Sequence, residues 1–150
     1  MSNSTSSGWS SDVERASYSR RAGRVLLQAG AVGVLAGMGA FVYNSTQFLT
    51  FDVDARLLLA PMFAAGVFAH AFAPSLRESV RLGIAGFFAG LAVFVAAWLA
   101  PLFVLPFPDS AIDLLLPSMM GDVTSAAFLN YSPTYLGGYL LAVSVGAFLE

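Results

Sequence analysis

The chain has 150 residues, 57% of them hydrophobic and 11% charged, with a net charge of −2 and no cysteine. Soluble domains carry about 25% charged residues, so this composition cannot cover a soluble surface and suits one compact membrane-embedded unit. The lack of a basic face excludes nucleic acid as a partner, and the lack of thiols excludes disulfides, thiolate metal sites and cysteine-held iron–sulfur clusters.

Residues 1–24 are Ser-rich and polar, without apolar periodicity. Too little surface can be buried there to offset the entropy of ordering. They are expected to form a disordered cytoplasmic tail, with a short helix from Asp12 as the alternative. The stretch SRRAGRVLL has the look of a twin-arginine export signal, but no small-residue cleavage site follows its apolar run. Arginines anchoring a membrane helix are the better reading.

Four apolar runs follow, at 25–43, 57–73, 82–106 and 134–149. A hydrocarbon core of about 30 Å needs roughly 20 residues of helix, so the first and third runs are long enough and the other two are short. Pro101 and Pro106 predict a kink or an early exit in the third. The expected fold is an all-α, polytopic membrane helix bundle of four transmembrane helices, with five possible, occupying 25–150.

All seven basic residues are arginine. Arg15, Arg20, Arg21, Arg24, Arg77 and Arg81 fall on one side of this topology and only Arg56 on the other. The positive-inside rule then places both chain ends and the 74–81 loop in the cytoplasm of a multi-pass cell-membrane protein. The loops at 44–56 and 107–133 face outward with Asp52, Asp54, Asp109, Asp113 and Asp122. Tyr43, Trp98, Tyr131 and Tyr135 stand where an outer aromatic belt would. Arginine without lysine, among many Ala, Gly and Val residues, suggests a GC-rich genome, and acidic outer loops suit a halophilic archaeon.

The segment 111–129 stands apart. At helical spacing its apolar residues gather on one side, and Asp113, Ser118, Asp122 and Ser125 on another. An amphipathic helix on the outer surface is the favoured expectation. The alternative is a fifth span that buries Asp122 and makes it functional.

A phrase recurs at an offset of 53 residues: Arg24, Gly30, Gly33, Ala36, Gly37, Phe41 and Val42 match Arg77, Gly83, Gly86, Ala89, Gly90, Phe94 and Val95. Duplication of a hairpin and coincidence in a narrow alphabet both produce such a match. Either way, each copy holds its glycines on one helical stripe containing a GxxxG. Lipid is as apolar as leucine, so helices associate there through close backbone approach at small residues. Gly30, Gly33 and Gly37 are therefore expected to meet Gly83, Gly86 and Gly90, or each stripe to meet another subunit.

Chemistry has few candidates. His70 is the only histidine, and ionisable residues within spans often mark pathways or ligands. A neutral imidazole bonded to a neighbouring helix is expected ahead of a haem ligand, since b-type haem commonly takes two. Arg77 and Arg81 share a helical face and could hold lipid headgroups or a partner, although topology-setting charge is the ordinary explanation. Asp52, Asp54 and Arg56 read as a solvated cap. Asn44-Ser45-Thr46 and Asn130-Tyr131-Ser132 are glycosylation sequons beside the interface.

No catalytic constellation, metal site or cofactor motif is legible. The expected function is that of an accessory, assembly or anchoring subunit acting through helix packing, with lipid and itself or another membrane subunit as partners. The alternative is a small transporter or channel with Asp122 or His70 on the path. A haem- or quinone-associated subunit ranks third.

Overall fold

The computed structural model describes the backbone of residues 7–46 and 54–149, and the side chains of 22–46, 54 and 56–149. Asp52 lies outside the described residues. Every regular element among those described is helical: α1 (Ser7–Asn44), α2 (Ala55–Leu58), α3 (Ala60–Ala71), α4 (Leu76–Val104), α5 (Asp109–Ala126), a π turn (Ala127–Tyr131) and α6 (Ser132–Leu149). Three stretches are long and apolar enough to cross a membrane: Ala22–Asn44, Leu76–Val104 and Asp109–Leu149. The remaining apolar helix, Arg56–Ala71, is shorter.

Local chemistry sets most of these boundaries. Pro61 sits in the first turn of α3 and brings no N–H for the carbonyl four residues earlier. The chain therefore breaks at Leu59, whose own N–H turns back to the Arg56 carbonyl at 3.2 Å. Asp54 caps α2 by accepting the Arg56 N–H at 2.9 Å. Ser75 caps α4 by accepting the Glu78 N–H at 3.3 Å, half of a capping box written in the order Ser-x-x-Glu. At the far end α4 runs through Pro101 and stops at Val104. Leu105 is extended there, the conformation that the following Pro106 favours.

Two segments depart from the sequence expectation. Residues 7–24, expected to be a disordered tail, are the first half of α1. Nucleation is the costly step in helix formation, and the apolar half of α1 is held by packing; extending it backward through Ala16, Arg20, Arg21 and Ala22 needs no new nucleus. The segment 111–129 is neither a separate surface helix nor a span with its own turn. It continues into α6 through the π turn as one helical rod of 41 residues, about 60 Å long. Pro133 would interrupt an α-helix at this point, because it has no N–H to give. The wider turn before it absorbs the defect, with the Ser132 N–H and hydroxyl both directed to the Ala127 carbonyl.

α1 packs most extensively on α4, α3 on α6, and α1 on α3, while α4 and α6 hold their backbones further apart. Glycine makes the close approaches. A Cβ added at Gly33 would lie 2.6 Å from the Ala89 Cβ, and one at Gly37 would strike the Gly90 carbonyl and Val93. Between α3 and α6, Gly66 abuts the Tyr135 carbonyl and Gly138 abuts the Phe63 carbonyl. No described glycine has a positive φ, so these residues serve for space and not for an unusual dihedral. Gly30 differs from the rest of its stripe, since a Cβ added there would have nothing within 4 Å.

Candidate functional site

The space between α4 and α6 is filled by an aromatic ladder. Tyr131, Tyr135 and Tyr139 recur every four residues and so share one face of the rod. The Tyr131 hydroxyl donates to the Phe87 carbonyl at 2.7 Å, and that of Tyr135 to the Gly83 carbonyl at 3.0 Å. The Tyr139 hydroxyl lies 3.2 Å from Ser79 Oγ. Each step of four along the rod is a step of four back along α4, as two antiparallel helices require. Gly83, Gly86 and Gly90 leave room for it: a Cβ at Gly83 would meet the Tyr139 ring and one at Gly86 the Tyr135 hydroxyl, both at about 2.8 Å or less, and one at Gly90 would strike the Tyr131 hydroxyl. Phe87 and Phe94 pack on the tyrosine rings with centroids 5.2–6.3 Å apart, a range in which aromatic pairs contribute about 0.5–1.5 kcal/mol beyond burial.

Tyr131 and Tyr135 are thus fully buried, not members of an outer belt. The belt expectation fails because α4 offers glycine-lined room and backbone acceptors to both hydroxyls. The signal was present in the sequence as tyrosines at i, i+4 and i+8, facing glycines at i, i+3 and i+7.

The ladder ends in the one buried polar side chain among the described residues, Ser79. His70, in the last turn of α3, brings its Nδ1 to 2.8 Å from Ser79 Oγ, so Ser79 joins α3, α4 and α6. On the other side of the ring, Gly146 gives clearance: a Cβ there would lie 2.7 Å from Nε2. Ser79 and His70 have the spacing of a nucleophile and its base, but the Oγ is closed off and shared with Tyr139. The arrangement ties three helices together.

The opposite end carries a second polar group. The asparagines of the two sequons bond to one another, Asn130 Nδ2 donating to Asn44 Oδ1 at 3.1 Å. Asp122 and Ser125 line the same open cleft of about 370 Å³, with Trp98 on its wall. Asp122 is exposed, as are Arg77 and Arg81 on the first turns of α4. The structure therefore brings Gly33 and Gly37 against Gly90, sets Gly86 against Val32 and Tyr135 and Gly83 against Tyr139, and leaves His70 and Asp122 at separate ends. Among the described residues no three His, Asp or Glu side chains gather as metal ligands would.

Comparison with known proteins adds no kinship. The chain matches no protein-family model, no curated protein and no solved structure.

Proposed function

We propose that this is a four-span integral membrane protein with both ends in the cytoplasm, acting through helix-packing surfaces as an accessory, assembly or anchoring subunit and carrying out no reaction of its own. The observation that carries this reading is the closed interior. Between the polar group at His70 and the one at Asp122 stand Met62, Phe94, Tyr131 and Tyr135, all without solvent exposure. A conduction path needs polar groups or water along its length, and a rigid ladder of satisfied hydroxyls suits a scaffold instead. The surface is correspondingly apolar, with Leu26, Leu27, Ile84, Phe88, Phe128 and Leu140 exposed, as lipid or a neighbouring subunit requires.

Gentle detergent extraction through an affinity tag, followed by native mass spectrometry and an absorbance spectrum, tests the reading. A stoichiometric second membrane subunit without pigment supports it. A pigmented sample, or a homo-oligomer that moves solute across vesicles, overturns it. The transporter alternative draws on the polar cleft of Asn44, Asp122 and Asn130, and predicts that Asp122→Asn abolishes such transport.

A further inference from the structure

We propose that the α4–α6 groove and the arginines below it bind one anionic phospholipid, its hydrocarbon chain in the groove and its phosphate on Arg77 and Arg81. This rests on the membrane reading above. Because the tyrosine ladder props α4 and α6 apart, a groove of about 190 Å³ opens beside it, walled by Val80, Ile84, Phe87 and Phe88 on α4 and by Tyr135 and Leu136 on α6. Its surface is almost wholly carbon. The hydroxyls that could make it polar are turned inward, Tyr135 to the Gly83 carbonyl and Tyr139 to Ser79. A partly open apolar groove accepts a hydrocarbon chain and offers nothing to a polar solute.

Charge at one end of the groove selects the headgroup. Arg77, Arg81, Ile84 and Phe88 follow one another at i, i+4, i+7 and i+11, which is a single helical stripe. All four are exposed. Helical side chains lean toward the N-terminus of their helix, so both guanidinium groups reach away from the apolar wall to the level where headgroups lie. Two guanidinium groups one turn apart can each give charge-assisted hydrogen bonds to a phosphodiester, and the N-terminal end of α4 adds its partial positive charge. Glu78 stands about 100° around the helix from Arg77 and about 60° from Arg81, off the stripe that the two arginines share with the groove. The α6 wall brings no charge, since Tyr135 through Leu149 contains none. A choline headgroup would set its own cation beside the two arginines, whereas phosphatidylglycerol would not.

The test uses the full chain reconstituted with phosphatidylcholine alone, then with equal phosphatidylglycerol and phosphatidylcholine. Flotation with vesicles and resistance to alkaline extraction in phosphatidylcholine alone establish insertion. Native mass spectrometry from the mixed lipid should then show one retained phosphatidylglycerol in clear preference to phosphatidylcholine. An arginine near an anionic headgroup contributes about 1 kcal/mol, or about fivefold, so Arg77→Gln should lower the preference about fivefold. Arg77→Gln with Arg81→Gln should abolish it without changing thermal unfolding. Ile84→Trp, which fills the groove, should reduce retention of both lipids. Equal retention of the two lipids by the unaltered chain overturns the inference, as does a preference that survives the double substitution. Displacement by water-soluble glycerol phosphate as effective as by the lipid overturns it too, since the chain would then add nothing. Failure to insert overturns the membrane reading itself, whereas insertion without a lipid preference overturns only this inference.

Discussion

Tyr135 shows how little separates a structural hydroxyl from an interfacial one. Its ring fills the gap between α4 and α6 while its hydroxyl spends its proton on the Gly83 carbonyl. Tyr135→Phe keeps the ring and loses only that bond, so unfolding in detergent should reveal a loss of about 0.6–1 kcal/mol. Tyr131→Ala removes a ring with no solvent exposure and should cost about 3–5 kcal/mol through the cavity it leaves. The neighbouring glycines of α6 give a sharper contrast. Gly137 has nothing within 4 Å of an added Cβ, whereas Gly138 lies against the Phe63 carbonyl. Gly137→Ala should therefore gain about 0.5–1 kcal/mol from helix propensity, and Gly138→Ala should destabilise. Equal effects at the two positions would mean that α3 and α6 do not meet as described. None of this pairing is visible in the sequence, where the two glycines are adjacent and identical; only the partner helix distinguishes them.

Among the elements, α1 and α4 form the tightest association, and the recurring glycine phrase lies within both. Gly37→Leu would drive a side chain into Gly90 and Val93, and Gly86→Leu into Val32 and the Tyr135 hydroxyl. Each should lower stability by about 3 kcal/mol, read as a shift in detergent-unfolding midpoint. Gly30→Leu, at the open position, should leave that midpoint near its original value. The stripes were legible because small residues at helical spacing have one physical use in an apolar helix. The 41-residue rod was not, since three aspartates and two prolines within 109–133 read as reasons to leave the membrane and turn. The π turn resolves this locally: it accommodates Pro133 without ending the helix, and it aims Asn130 at Asn44 while Tyr131 faces Phe87.

For the whole molecule, the proposed orientation rests on where the arginines fall, and the chain is suited to measuring it because it has no cysteine of its own. Single cysteines at Ser75, Ser110 and Leu149 should divide by side. An impermeant maleimide added to intact cells should label Ser110→Cys, and should reach Ser75→Cys and Leu149→Cys only after permeabilisation. Labelling of Leu149→Cys from outside would remove the four-span topology, because the rod would then not return. The lengths make the outcome informative. Arg56–Ala71 covers about 24 Å and the rod about 60 Å, against a core of about 30 Å. One element is short and another long for a single crossing.

By itself, the sequence determined that the chain is helical and apolar, where its main helices lie, and which residues are small enough for close contact. Those properties depend on composition, periodicity and proline chemistry, all local in the chain. Only the tertiary structure decided that Tyr131, Tyr135 and Tyr139 point inward, that Ser79 ties His70 to Tyr139, and that 109–149 is one rod. The first two outcomes depend on what another helix offers, whether a free carbonyl, a missing Cβ or a matching hydroxyl, and the third on the π turn that accommodates Pro133. Residues 44 to 86 positions apart in sequence supply such partners here, and no local pattern records which of them will meet.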